Sequence, residues 1–161
     1  MGSEAFEIFL SQLKRFVRER LVPAEQQVVE TDRIPEDIIA DMRDMGLFGI
    51  TVPPEYGCSG MNLSQYIETI KELSWAAPAF RSLISINVCM AGSSIRRSGT
   101  DGQKSEWLPR IAAGDVVAFA LTDPDSGSDS AALRTTAVRD GDGYAQRGRR
   151  LALAGVSSSR R

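Results

Sequence analysis

The residues best suited to chemistry lie together in segment 118–129, which reads A-F-A-L-T-D-P-D-S-G-S-D. An apolar run ends there in a threonine hydroxyl, a proline-shaped turn and a Gly-Ser pair, so the loop can aim backbone N–H groups and hydroxyls at one point. Several fixed donors suit the edge of a polar heterocycle or a phosphate. A capped turn is the alternative interpretation, because aspartate and serine are common turn residues.

The composition excludes several other kinds of site. The chain has no histidine, which removes Ser-His-Asp and Cys-His catalysis and most zinc sites, and we expect no metal. Cys58 and Cys89 belong to no CxxC motif and predict free buried thiols in a reducing compartment, here the cytoplasm. The N-terminal segment has no basic stretch, unlike a secretory signal.

Neither nucleic acid nor a membrane is expected as a partner. The formal net charge is −2, whereas binding to duplex nucleic acid normally needs a basic face. No stretch approaches the ~18 consecutive apolar residues that a membrane span needs. The composition is that of an ordinary soluble globular protein.

Helical periodicity dominates the chain up to Asp115. Apolar residues recur at helical spacings from Ser3 to about Val29 and predict a first helix. Pro23 breaks or kinks that helix unless a new one starts there. Pro35 is expected to open a second helix and Gly46 to end it.

Three further helices are expected. Ser64 can cap a third helix. Its core face is expected to hold Tyr66, Ile67, Ile70 and Leu73. A fourth helix, from Phe80 to about Ser98, is apolar on most sides, which is typical of a helix in the middle of its domain. Thr100 and Gln103 form a capping box for a fifth helix.

The pattern changes after Asp115. Val116–Leu121 is an unbroken apolar run without helical period and predicts a buried strand. A second short strand is expected at Thr135–Arg139, because the hairpin turn signal D-G-D-G follows it directly. We therefore expect a helical domain at 1–115 and the start of a β domain at 116–146.

The last segment, 147–161, contains five arginines, three consecutive serines and no acidic residue. The strand that should follow the hairpin turn loses its alternation there. This composition predicts an aberrant tail, from a frameshift or an artificial terminus, with a natural disordered tail as the alternative.

Segment 118–129 resembles the signature of the acyl-CoA dehydrogenase family, whose usual form is A-L-T-E-P-x-x-G-S-D. The sequence L-F-G-I-T-V-P-P-E-Y-G at 47–57 resembles the family's G-L-x-G-I-x-V-P-E-E-Y-G-G-x-G loop. The sequence G-T-D-G-Q-K at 99–104, followed by W-L-P, resembles its G-T-E-E-Q-K-x-x-x-L-P motif. The three motifs stand in family order and spacing, and the resemblance covers roughly residues 5–146.

The resemblance implies a mainly α fold, an orthogonal helical bundle followed by the first strands of an incomplete β-barrel domain. It also implies FAD as cofactor and α,β-dehydrogenation of an acyl-CoA thioester. In the family a base removes the α proton while the β hydride passes to the flavin, and an electron-transfer flavoprotein reoxidises it. Full-length members are usually homo-oligomers.

Carried over by position, the first flavin-contacting strand and loop run from Phe119 to Ser128. Leu121 and Thr122 would approach the isoalloxazine, with the Thr122 hydroxyl or N–H near its N5 edge. Gly127 would leave room for the flavin, and Ser128 would contact its phosphate region or the CoA thioester arm. The pair Arg81-Ser82 resembles one that faces the distal carboxylate in glutaryl-CoA dehydrogenases, with a surface or capping role as the alternative.

Three departures from the family pattern limit what the resemblance implies. Asp123 replaces the usual glutamate. Cys58 replaces a usual glycine, and cysteine would fit that position poorly if the backbone φ there were positive. The second flavin motif, N-G-x-K-x-W/Y-I-T-N, is absent after Tyr144. The family's catalytic glutamate belongs to a later helical domain, so we assign no catalytic residue here.

Two hypotheses about function follow. The chain is a fragment of a flavin-dependent acyl-CoA dehydrogenase, inactive alone, or it is a non-catalytic truncated helical module with a structural or interaction role. Unpaired strand edges would favour the second role, because they pair with other chains.

Overall fold

The computed structural model describes residues 1–124, 126–148 and 151–153. They divide into two compact units, a helical unit at Met1–Val117 and a β unit that begins at Ala118. The helical unit contains α1 (Ser3–Phe16), α2 (Val22–Thr31), α3 (Glu36–Asp44), α4 (Leu63–Leu73), α5 (Pro78–Ser85), α6 (Ser93–Ser98) and α7 (Asp101–Ala112). Its 3₁₀ turns are Leu47–Gly49 and Pro54–Tyr56.

The first predicted helix is two α-helices joined by a π-helical turn at Val17–Leu21. The Val22 N–H donates to the Val17 carbonyl, the i→i+5 bond of a π turn. Pro23 therefore lies in the first turn of α2, where a missing N–H leaves no helical bond unmade. The sequence predicted a break at Pro23 unless a new helix started there, and a new helix does start at Val22.

α4 is capped by Asn62 and not, as predicted, by Ser64. The Asn62 Oδ1 accepts from the Gln65 N–H at 3.0 Å, and the Gln65 Oε1 accepts from the Asn62 N–H at 3.2 Å. The predicted core face is wrong at Ile67, which is 52% exposed, while Thr69 is fully buried. Thr69 tolerates burial because its hydroxyl donates to the Gln65 carbonyl at 2.8 Å.

The fourth predicted helix is also divided, into α5, a π turn at Ile86–Gly92, and α6. Its first half lies in the core, where Phe80 and Ile84 are fully buried. No residue of α6 is buried, so the prediction of a central helix fails for the second half. The fifth helix, α7, has the predicted capping box, with Gln103 N–H to Thr100 Oγ1 at 3.3 Å and Thr100 N–H to Gln103 Oε1 at 2.9 Å.

The buried Asn87 joins the π turn to the end of the helical unit. Its Nδ2 donates to the Asp115 carbonyl at 2.8 Å, and its Oδ1 accepts from the Val117 N–H at 2.7 Å. Asn87 is 0% exposed, so these two bonds satisfy an amide that burial would otherwise penalise. The last residues of the helical unit are thereby fixed against its interior.

The helical unit is built around apolar side chains from every helix except α6. Each large one contributes roughly 1.5–3 kcal/mol by leaving water. The largest that are fully buried are Phe48, Phe80, Leu13, Leu21, Ile38, Met42, Leu47, Ile50, Leu73, Ile84, Leu108 and Ile111. No helix in the described part of the chain is long and apolar enough to cross a membrane.

The β unit contains β1 (Phe119–Thr122), β2 (Thr136–Asp140), β3 (Gly143–Arg147), β4 (Leu151–Leu153) and a 3₁₀ turn at Ser130–Ala132. β1 pairs antiparallel with β4, and β2 pairs antiparallel with β3 in the register that joins Asp140 to Gly143. The predicted hairpin is present, with Gly141 at φ 58° in its turn.

The predicted buried strand at Val116–Leu121 is wrong in extent and in burial. The strand begins only at Phe119, because the Val117 N–H is held by Asn87, and Leu121 is 40% exposed. Of the predicted tail, Arg147 ends β3 and 151–153 form β4, while 149–150 and 154–161 lie outside the described residues.

Candidate functional site

The candidate site is the loop that leaves β1 and returns to β2. It opens with a tight turn, in which the Asp123 N–H donates to the Ser126 carbonyl at 3.2 Å and the Ser126 N–H donates back at 3.0 Å. Pro124 lies inside this turn, where its fixed φ favours the reversal. The chain then runs through a 3₁₀ turn to Thr135, the residue before β2.

A buried carboxylate joins the two ends of this loop. Asp123 is only 5% exposed. Its Oδ2 accepts from the Arg134 N–H at 3.3 Å, from the Thr135 N–H at 3.1 Å and from the Thr135 hydroxyl at 2.9 Å. Hydrogen bonds to an ionised acceptor are stronger than neutral ones, so these three bonds hold the end of β1 beside the start of β2.

Two more polar side chains bond within the loop. The buried Ser126 hydroxyl donates to the Asp129 carbonyl. The Asp129 Oδ1 accepts from the Ala131 N–H at 3.1 Å and so caps the 3₁₀ turn. The loop is therefore closed by its own polar groups, as in compact surface loops of this length.

The residues predicted to meet the flavin remain on the outside of this network. Phe119 and Thr122 are half-buried, and Leu121, Gly127 and Ser128 are exposed. The hydroxyls of Thr122 and Ser128 make no hydrogen bond with the described part of the chain. A Cβ added at Gly127 would meet no atom within 4 Å, so the described residues leave open space there.

Sequence reasoning missed the hydrogen bonds that close the loop from within. Asp123 was predicted only as a shortened glutamate, and Thr135 as the start of a strand. Their contact spans twelve positions of irregular chain, which no helical or strand period connects.

Arg81 lies elsewhere, on α5 of the helical unit, and is half-buried. Its positive charge acts on the half-buried Tyr66 phenol of α4. Burial and then the neighbouring Cys89 thiol raise the pKa of Tyr66, and the Arg81 charge opposes them. Among the described residues no carboxylate forms an ion pair with Arg81. Sequence periodicity identified Tyr66 as a core residue and did not indicate this polar group.

Cys58 shows none of the backbone strain that a positive φ would have caused. Among the described residues, Asp32 is the only non-glycine with positive φ, while Gly57 and Gly60 supply the left-handed positions beside Cys58. Its side chain fills the space beside Gly49, where an added Cβ would lie 3.0 Å from the sulfur. Burial raises the pKa of the Cys58 thiol, which disfavours the reactive thiolate.

No group of three or more His, Cys, Asp or Glu residues in the described ranges could hold a metal ion. Both cysteines are free thiols.

Comparison with known proteins gives a consistent result. The family model for the acyl-CoA dehydrogenase N-terminal domain matches residues 3–115. An acyl-CoA dehydrogenase of Bacillus subtilis (strain 168) is 36% identical over 140 residues, which are 86% of this chain and 37% of that protein. This chain thus spans well under half the length of that relative.

Solved structures share the fold. A glutaryl-CoA dehydrogenase from Mycobacterium smegmatis in complex with FADH2 superposes with a TM-score of 0.81 at 34% identity, over 92% of this chain and 38% of that one. A chain from work on the electron transferring flavoprotein of Acidaminococcus fermentans gives 0.83 at 32% identity, over 92% and 39%. The predicted mainly α fold class is confirmed, a helical domain followed by the start of a β domain.

Proposed function

Because the chain belongs to the acyl-CoA dehydrogenase family, we propose that it supplies the helical domain and the first flavin-contacting loop of an FAD-dependent dehydrogenase. The reaction is α,β-dehydrogenation of an acyl-CoA thioester. One observation carries the assignment: Asp123, Ser126 and Asp129 bond within the loop, whereas the hydroxyls of Thr122 and Ser128 point to no acceptor in the described chain.

These outward groups fit an FAD cofactor. The Thr122 hydroxyl and N–H are donors suited to the polar edge of the isoalloxazine, and the exposed Leu121 and half-buried Phe119 offer it apolar contact. The Ser128 hydroxyl suits a phosphate oxygen or the CoA thioester arm. At Gly127 the open space lets that group approach the backbone closely.

When bound, FAD supplies the acceptor for the β hydride. The loop's own contribution is to bind the cofactor and orient it with donors that need no rearrangement.

The isolated chain is proposed to lack dehydrogenase activity. The segment after Tyr144 carries no N-G-x-K flavin motif, and we assign no catalytic base to the described residues. In the complete family enzyme the partners are the acyl-CoA substrate, an electron-transfer flavoprotein and further copies of the subunit.

A dicarboxyl substrate is a second, narrower candidate. Arg81 is half-buried, has no carboxylate partner among the described residues, and lies near the polar Tyr66 and Cys89. A guanidinium in that setting can pair with the distal carboxylate of an acyl-CoA, and one similar structure is a glutaryl-CoA dehydrogenase. A capping or surface role for Arg81 is the alternative.

A ¹⁵N–¹H correlation titration of the 161-residue chain with FAD tests the flavin loop. We expect the Leu121, Thr122 and Ser128 amides to shift at millimolar FAD, while Leu108, fully buried in α7, stays fixed. The purified protein is expected to be colourless, because the loop offers few contacts. No shift in the loop, or equal shifts throughout the chain, contradicts the assignment and favours the non-catalytic module.

Absorbance tests the proposed inactivity. A yellow preparation whose flavin band bleaches on addition of an acyl-CoA would show that the chain catalyses the reductive half-reaction alone.

A further inference from the structure

We propose that Asp123 is the positioning residue of the flavin loop, whose carboxylate sets where Thr122 and Ser128 stand. This inference rests on the proposed function and identifies what holds that site in shape. Asp123 would touch neither flavin nor substrate. It would act through the three hydrogen bonds that its Oδ2 accepts from Arg134 and Thr135.

The side chains of Thr122 and Asp123 point in opposite directions. Asp123 directly follows Thr122, the last residue of β1, and forms an antiparallel bridge with Ser126. Neighbouring side chains of extended chain point to opposite sides. A carboxylate bonded to the inside of the loop therefore directs the Thr122 hydroxyl outward.

The Asp123 carboxylate joins positions that are far apart in the chain. Asp123 binds residues eleven and twelve positions downstream, so one carboxylate closes the whole loop that carries Gly127 and Ser128. Among residues 118–124 and 126–148 only Asp123 and Ser126 are buried, and neither is apolar. No apolar side chain of those residues is buried beneath this loop, so its shape depends on these polar contacts.

The length of the Asp123 side chain determines how closely the two ends of the loop approach. Glutamate, the usual family residue at this position, is longer by one C–C bond of about 1.5 Å. With bonds of 2.9–3.3 Å to Arg134 and Thr135, the aspartate draws the end of β1 closer to the start of β2 than a glutamate in the same pose could. Asp123→Glu therefore keeps the charge and changes only the spacing.

The test repeats the FAD titration on variants of the 161-residue chain. Asp123→Asn keeps the size and removes the charge, and we expect the FAD-induced shifts of Thr122 and Ser128 to need about tenfold more FAD. Thr135→Val removes only the hydroxyl donor and should weaken the response about threefold. Asp123→Glu should fall between wild type and Asp123→Asn. Asp142→Asn, the same change in the β2–β3 turn, is the control and should match wild type.

Two readouts separate positioning from general stability. Hydrogen exchange at the Thr135 amide should quicken in Asp123→Asn, whereas the melting temperature of the helical unit should not change. Equal FAD responses in wild type and Asp123→Asn overturn this inference and leave the proposed function standing. No response at Thr122 or Ser128 in the wild type overturns the proposed function and this inference together. If Asp123→Asn perturbs the whole β unit, Thr135→Val decides, and a response of that variant equal to wild type overturns the inference.

Discussion

Each of the two units of this protein is stabilised internally by a different kind of contact. Within residues 1–124 and 126–148 every buried apolar side chain belongs to the helical unit, from Phe6 to Ile111. Residues 118–124 and 126–148 bury only Asp123 and Ser126, and β2 and β3 are largely exposed. Substitutions on the surface of the helical unit should therefore have small effects and substitutions in its core large ones, because apolar burial is its main source of stability. The loop from Asp123 to Thr135 depends instead on a few polar groups, so single substitutions there should alter its shape with little effect on the helices.

The largest expected effect comes from the helical core. Phe80→Ala removes a fully buried ring and should lower the free energy of unfolding by about 3–5 kcal/mol. Urea unfolding followed by helical circular dichroism measures it. Ile67→Ala, at a position 52% exposed, is the control and should cost less than about 1 kcal/mol. Similar losses in both variants would mean that the buried cluster is not what stabilises this unit.

A smaller loss is expected where a polar group lies inside the helical unit. Asn87→Ala leaves the Asp115 carbonyl and the Val117 N–H without their partner and should cost about 2 kcal/mol. Hydrogen exchange at the Val117 amide should quicken at the same time. An unchanged exchange rate would show that this amide does not depend on Asn87.

Helix capping should contribute less again. Thr100→Ala removes the side-chain acceptor for the Gln103 N–H at the start of α7 and should cost about 1 kcal/mol. Thr100→Ser keeps the hydroxyl and should restore most of the loss. Unfolding in urea at neutral pH compares the three proteins, and a serine variant as weak as the alanine variant would exclude the capping bond as the cause.

Ionisation of Cys58 should lower the stability of the helical unit slightly at alkaline pH. Burial raises the pKa of Cys58 above its ordinary 9.0, so the folded state disfavours the thiolate. The corresponding stability is full below pH 9.0 and is lost as the pH rises through the folded-state pKa. Stability curves from pH 7 upward should fall less for Cys58→Ala than for wild type; parallel curves would contradict this.

The smallest effect is expected on the β hairpin. Tyr144 is 75% exposed, so Tyr144→Ala should change the unfolding free energy of the helical unit by no more than about 0.5 kcal/mol. A loss comparable to that of Phe80→Ala would mean that the hairpin contributes to helical stability, against the contrast between the units.

The sequence predicted much of this because helices and caps leave local signals. The box of Thr100 and Gln103 and the hairpin after Asp140 lie within a few residues and were found directly. Three motifs in order were enough to indicate the family. The cap of α4 was misplaced by two residues, since asparagine and serine are both good caps and only the contact with Gln65 distinguishes them.

The rest depended on contacts between distant positions. Asn87 reads as one polar residue in an apolar run, and its partners lie about thirty residues later. Asp123 and Thr135 likewise meet only after the loop has closed. The burial of β1 was overestimated because an apolar run predicts burial, whereas Ala120 and Leu121 are exposed and Phe119 and Thr122 only half-buried.

The π turn at Val17–Leu21 should make the junction between α1 and α2 intolerant of a one-residue deletion. Deleting one residue from it would replace the π turn by ordinary α-helix, continuous from α1 into α2. Pro23 would then stand in a helix interior, where its ring clashes with the carbonyl four residues earlier. Homologous chains should therefore accept insertions and deletions in the turn after Thr31 far more readily than in this π turn.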